Sequence, residues 1–460
     1  MKKYIGKKVA ILNASAVAYS GVSTCIEDIK KWEAKNKDDI TIDVFHYEFK
    51  KQKVKSLKGF EYDYEEIDMN DIESFVENIN SNYDVVILMT EAKITKTKPA
   101  SFFRAFYFDI WKKINVVKIR MQHDATRNAI SRAPFNMNIS NEADAILTIS
   151  KTSEYINDIR NNLPSKEDRI FKYDLWLDFD MFDKWKEEDI EKDLKMTYLG
   201  RYSSVKNPDR ILSIAKELQN LGLTIEMYGM DTSIATVKNI LDKECVRDCV
   251  RNRNLEEGFV NVYPKYERLD GLNKMKKSLF GYSFFSYSFE RDKGFYGNRL
   301  EYAQQEIIAC GAIPIFDFDW GINCRAKDGR RYIDIPNFAI FYKKDKDSEF
   351  IDDVKKVLND KELQKKYVET SYRILKENYD MNVILEDYFN MVCSIDKDKD
   401  KFKDEYDLAY HITKDMETAK AYTNMINDET NLSSTNFEKL KKKEIHVFGG
   451  KSGKASVKIN

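Results

Sequence analysis

The sequence predicts an α/β protein made of two Rossmann-like, doubly wound domains facing a central cleft. Three observations carry that expectation. Short, continuous apolar runs recur along the chain, each leads through a loop into a helix-like pattern, and the series restarts near residue 196. Strands buried on both faces read as unbroken apolar runs, and a sheet covered by helices on both faces is built from parallel strands.

In the first half, Lys8-Val9-Ala10-Ile11-Leu12 is the opening strand. A small-residue loop then runs from Asn13 to Gly21, and a helix carries Ile26, Ile29 and Trp32. Residues 40–45 alternate as a strand, and 84–89, 116–121 and 145–149 are further buried runs. The charged stretch 184–195 separates this half from the next, which restarts at Met196-Thr197-Tyr198-Leu199. There the loop GRYSSVKNP leads into a helix from Asp209 to Leu221, with strands at 223–228, 279–287 and 312–316. The expected division is a first domain over 1–183, a second over 184–378, a helix over 379–395 crossing back to the first, and a lysine-rich, partly flexible appendage over 396–460.

Composition narrows the classes. At 460 residues, 42% hydrophobic and 33% charged, the chain can bury two cores and is not a disordered sequence. A net charge of -1 leaves no global basic footprint, so any nucleic-acid contact has to come from a local face. No segment approaches the ~18 to 20 apolar residues of a membrane span. The start, MKKYIGKKVAILNASAVAYSG, puts Lys7 and Lys8 directly against VAIL and fits a buried first strand better than a signal peptide. The expectation is a cytoplasmic monomer with no membrane partner. Six cysteines are scattered, only Cys245 and Cys249 lie a helical turn apart, and none of the four histidines is near that pair. Reduced thiols, not a zinc site, follow from this.

Ligands of doubly wound sheets bind outside the carboxyl ends of the strands, so residues in those loops are the candidates. Arg201 and Lys206 lie in the loop after the restarting strand, before a helix capped by Asn207 with Pro208 in its first turn. Two cations there can hold a diphosphate and stabilise it as it departs. The competing reading is two solvated cations in a polar loop. The run LEYAQQEIIACGAIPIF places Glu301 and Glu306 before Cys310-Gly311 and a buried strand. Glu306 can accept two hydrogen bonds from ribose hydroxyls, and Glu301 is offset from it by more than a helical turn.

In the first domain Arg120-Met121-Gln122-His123-Asp124 ends a strand. His123 and Asp124 supply an imidazole to position an acceptor hydroxyl and a carboxylate to take its proton, against the commoner structural use of a strand-end histidine. Between residues 91 and 132 ten basic residues (Lys93, Lys96, Lys98, Arg104, Lys112, Lys113, Lys118, Arg120, Arg127, Arg132) face three acidic ones, interleaved with Phe102, Phe103, Phe106, Tyr107 and Trp111. Such a face suits a phosphate backbone, and an ordinary solvated face over core aromatics would look the same. Asp317-Phe318-Asp319 has a metal-holding DxD form, but a single triplet is common by chance, and a divalent-metal requirement is left open.

The blocks YLGRYSSVK and EIIACGAIPIF resemble the nucleotide-binding half of GT-B glycosyltransferases. LEY at 300–302 with Glu306 and ACG, the QHD at 122–124, Gly21-Val22 after the first strand, and Phe280-Gly281-Tyr282 occur in one order over roughly residues 5 to 390. Together they are similar to the DNA α-glucosyltransferase family of T-even bacteriophages. The resemblance implies a retaining transfer of glucose from UDP-glucose to a hydroxymethylated base in duplex DNA, in a host cytoplasm. It assigns Gly21, Val22, Arg201, Lys206, Glu301 and Glu306 to the UDP-sugar and His123 and Asp124 to the acceptor side. Lys93, Lys96, Lys98, Arg127 and Arg132 would then track DNA phosphates. The stretch SFERDKGFYG at 288–297 departs from that family beside the donor site, which leaves sugar and base open. Two other readings compete: a GT-B enzyme with a cell-envelope glycan or protein acceptor, and a non-enzymatic DNA-binding protein on the same scaffold.

Overall fold

The computed structural model describes residues 2–13, 21–46, 62–68, 70–89, 105–122, 133–149, 151, 154–186, 191–200, 208–229, 259–263, 268–284, 300–427, 445–447 and 455–457. Two parallel sheets organise the chain. The first has seven strands: β1 (Lys7–Asn13), β2 (Ile40–His46), β3 (Glu65–Glu66), β4 (Val85–Leu88), β5 (Val117–Gln122), β6 (Ala145–Thr148) and β7 (Ile170–Lys172), in the order β3-β2-β1-β4-β5-β6-β7. The second has six: β8 (Asp193–Gly200), β9 (Thr224–Gly229), β10 (Val260–Tyr263), β11 (Ser278–Ser283), β12 (Ile313–Asp317) and β13 (Ile340–Tyr342), in the order β10-β9-β8-β11-β12-β13.

Both sheets show the continuous burial that their apolar runs demand, with Val9 to Leu12 and Ile313 to Phe316 fully enclosed. Each sheet reverses its strand order once, at β1/β4 and at β8/β11. A crevice opens at such a reversal because the flanking connections run to opposite faces. Helix Gly21–Lys35 follows β1, and helices Arg268–Lys277 and Tyr302–Ala309 precede β11 and β12. Among the described residues no helix is long and apolar enough to cross a membrane.

The two domains are joined where the chain passes between them in both directions. Leu177 and Asp380 form a parallel bridge, with the Leu177 N–H donating to Tyr379 O at 2.8 Å and the Met381 N–H to Leu177 O at 3.0 Å. Helix Met381–Val392 then returns to the first domain and buries Met381, Leu385, Tyr388 and Phe389 in the core that holds Val9, Ile11 and Trp32. The Phe389 and Trp32 rings stack at 5.1 Å.

Three expectations need adjusting. Residues 396–427 are docked on the first domain: Lys401 pairs with Asp144 at 2.7 Å, Lys112 with Glu405 at 2.5 Å, and Leu408 and Ile412 pack with Ile146 and Ile156. The high lysine and aspartate content there serves pairs with the first domain and hides a few apolar anchors. The helix expected from Asp209 to Leu221 is a 3-10 stretch, Pro208–Ile214, followed by helix Ala215–Asn220. Ser213 Oγ donates to Arg210 O at 3.0 Å, the local side-chain bond that competes with α-helical pairing. The strand expected over 279–287 is assigned over Ser278–Ser283, and 285–287 lie outside the described residues.

Candidate functional site at the domain interface

On the second domain the site begins where β8 stops. A side chain at Gly200 would put its Cβ 2.7 Å from the Tyr198 hydroxyl, so only glycine lets the strand end there. The next described residue, Pro208, opens the 3-10 stretch. Arg201 and Lys206 belong to the connection between these two points and lie outside the described residues.

Helix Tyr302–Ala309 is fixed at both ends. At its start Glu301 is the N-cap and its N–H donates to Gln304 Oε1 at 3.0 Å, one half of a capping box. At its end Cys310 is the C-cap and Gly311 takes φ +68°, the conformation the sequence calls for after a helix end. Lys192 donates to Cys310 O at 3.3 Å and to Lys276 O at 2.5 Å, tying the ends of helices Tyr302–Ala309 and Arg268–Lys277 together. Burial pushes the Cys310 thiol up to about 12, which makes it a packing residue.

The two glutamates of the run LEYAQQEIIACGAIPIF therefore do different things. Glu301 terminates a helix, whereas Glu306 is buried, 8% exposed, and its Oε1 is ion-paired with Arg268 Nη2. Arg268 is equally enclosed, and its Nη1 donates to Thr24 Oγ1 at 2.6 Å. Thr24 sits in helix Gly21–Lys35 of the other domain. The adjacent Cys25 Sγ lies 3.0 Å from the Tyr302 hydroxyl. The first turn of that helix, which Gly21 and Val22 open, is thus seated against the helices that carry Arg268 and Glu306. The structure brings Glu306 and the helix that Gly21 and Val22 open to one interface, with Arg268 and Thr24, which sequence reasoning did not single out, between them. The one signal for Arg268 was its place at a helix start following a strand, on the edge where ligands bind.

The DxD triplet is accounted for. Asp317 accepts the Asp319 N–H at 2.9 Å as an N-cap and is ion-paired with Arg210. Arg210 also lies over the Tyr342 ring at 4.6 Å. Burial raises the Asp317 carboxyl above its ordinary range against the pull of Arg210. Among the described residues no group of three or more His, Cys, Asp or Glu is placed to hold a metal ion.

On the first domain β5 ends at Gln122, so His123 and Asp124 directly follow a strand end and lie outside the described residues. The same holds for Lys93, Lys96, Lys98, Arg127 and Arg132. Of the ten cations counted between 91 and 132, four are described; Lys112, Lys118 and Arg120 are engaged internally and Lys113 lies in an exposed pair. Lys118 Nζ lies 3.1 Å from Glu142, Arg120 is fully buried and donates to Ser140, Lys112 meets Glu405, and Lys113 lies 3.6 Å from Asp109. Phe106, Tyr107 and Trp111 are core residues. At the end of β2, burial brings the His46 imidazole down to about 4.

No family model matches the sequence, and no curated protein matches it. Solved structures do match. T4 α-glucosyltransferase in complex with UDP and a 13-mer DNA containing a central A:G mismatch aligns at a TM-score of 0.67 and 17% identity, over 84% of this chain and 100% of that one. A glycosyltransferase from Rickettsia africae aligns at 0.56 and 14% identity, over 85% and 98% of the two chains. Anabaena HepE in complex with UDP and glucose aligns at 0.55 and 12% identity, over 84% and 100%. The fold is that of GT-B glycosyltransferases, and it resembles the T4 α-glucosyltransferase structures over most of the chain.

Proposed function

We propose that this chain is a nucleotide-sugar-dependent hexosyltransferase that moves a sugar, glucose from UDP-glucose, onto a hydroxymethylated pyrimidine in duplex DNA with retention of configuration. The observation that carries the reading is the place of Glu306: an enclosed carboxylate in the crevice between two doubly wound domains, on the helix just before a strand whose sequence resembles the family block. A carboxylate there accepts both ribose hydroxyls of a nucleoside. In this reading Arg201 and Lys206 neutralise the diphosphate as the C1–O bond to it breaks. A new C1–O bond forms to the acceptor hydroxyl, which His123 positions and whose proton passes to Asp124. A base in a duplex is out of reach, so the nucleotide is flipped into the cleft. That the sheets align with a transferase solved with UDP and DNA supports this choice of donor and acceptor.

A second reading keeps the donor chemistry and gives it a cell-envelope glycan or protein acceptor. What favours it is that Lys112, Lys118 and Arg120, part of the basic surplus, are engaged by Glu405 of the docked segment and by Glu142 and Ser140 of the first domain. Transfer of radiolabelled sugar from UDP-glucose to DNA containing hydroxymethylcytosine, hydroxymethyluracil or cytosine separates the two. Label on a hydroxymethylated DNA and none on cytosine DNA is expected; label on a glycan with none on any DNA rejects the first reading.

A further inference from the structure

We infer that Arg268 is a positioning residue: it sets the Glu306 carboxylate for the ribose of a nucleotide and ties that setting to the opposite domain through Thr24. The inference rests on the reading of Glu306 as the ribose ligand. Arg268 and Glu306 are each about nine-tenths enclosed, and the guanidinium is held on two sides, by Glu306 on its own domain and by Thr24 at 2.6 Å on the other. Its Nε is buried and finds no acceptor among the described residues.

The chemistry favours arginine here. A carboxylate removed from water drifts towards its neutral form and loses a fixed orientation unless a cation holds it. The planar guanidinium donates along fixed directions and stays charged, so pairing at Oε1 sets where the lone pairs of Oε2 point. Arg268 engages Oε1, and in this reading Oε2 is the oxygen that takes the ribose diol. Because the second anchor is Thr24, the orientation is complete only while the two domains are apposed. Ribose affinity is thereby coupled to closure of the crevice, with Thr24 as the contact that registers it.

The test is calorimetric titration of the full chain with UDP and with 2′,3′-dideoxy-UDP, which lacks the two hydroxyls. Wild-type protein should prefer UDP by about tenfold or more, the scale of lost hydrogen bonds to a charged group. Arg268→Gln should lose most of that preference while its affinity for the dideoxy nucleotide moves less than about threefold. Thr24→Val should give the same pattern in weaker form. An unchanged preference in Arg268→Gln, or an equal loss for both nucleotides, overturns the inference, because a merely structural ion pair acts on both alike. Should Arg268→Gln fail to fold by circular dichroism, Arg268→Lys and Thr24→Val carry the same comparison. Wild-type protein that binds UDP without preferring it removes Glu306 as the ribose ligand and the inference with it. Wild-type protein that binds neither nucleotide rejects the proposed function itself.

Discussion

Lys166 and Asp398, 232 positions apart, form an ion pair with both side chains enclosed, and Lys166 also donates to Ala143 O at 2.5 Å. The pair fastens the chain that follows the crossover helix to the first domain. Asp398→Ala leaves an ammonium group buried without its counter-charge, which costs about 3 to 5 kcal/mol. Urea unfolding should show that loss, with Asp398→Asn intermediate because it keeps an acceptor. A midpoint unchanged in Asp398→Ala would show that the segment is not held by this pair.

His46 makes stability pH-dependent. Its folded pKa is brought down to about 4 by burial, and its ring packs edge-on to Tyr64 at 4.7 Å. In the unfolded chain it takes up a proton near 6.5. Between those values only the unfolded state binds the proton, so stability rises with pH across that window. It is complete above the unfolded value, falls as pH drops, and levels off below about 4 after losing about 3 kcal/mol. Unfolding measured at pH 7 and pH 5 should therefore show a smaller difference in His46→Gln than in the parent; equal differences contradict the assignment.

Asp317 is expected to matter for stability and not for metal use. Asp317→Asn deprives Arg210 of its carboxylate and should cost about 2 to 4 kcal/mol. The ratio of turnover with and without a chelator should stay that of the parent. A changed ratio would return the triplet to the list of metal sites.

Gly281 is the point where β11 lies against the site helix. A Cβ there would fall 2.7 Å from both Ile307 Cγ2 and Met275 Sδ, and Ile307 adjoins Glu306. Gly281→Ala should destabilise the second domain by about 1 to 3 kcal/mol. It should also raise the donor KM on the order of tenfold by shifting the Glu306 helix. A loss of stability with an unchanged KM would separate that packing from the site.

The cation loop after β8 is expected to act in the chemical step. Arg201→Ala should lower kcat by about 100-fold or more while DNA retention on a mobility gel persists. Unchanged turnover contradicts the leaving-group role.

Much of the fold was legible because parallel strands buried on both faces leave unmistakable apolar runs, as in Val9 to Leu12 and Ile313 to Phe316. Short edge strands such as β3, β10 and β13 were not found, since Glu65-Glu66 or Ile340 to Tyr342 has too few residues for a period to show. The place of Glu306 in the fold was legible because a helix end, a glycine and a strand follow it in a fixed order. Arg268 was not, because one of its two partners is Thr24, a residue 244 positions away. The partners of Lys118 and Lys112 were not legible for the same reason: Glu142 and Glu405 lie outside the window in which the charge was counted.

Helix Gly21–Lys35 touches the second domain near its start, at Thr24, and meets the inter-domain connection near its end, where Lys35 reaches Asp180 at 2.9 Å and Lys31 pairs with Asp178. Those attachments are separated by roughly 10 to 16 Å of helix axis. One rigid rod thus spans from the contact with the second domain to the inter-domain connection, so Thr24 and the lysine pair Lys31 and Lys35 hold opposite ends of a single element.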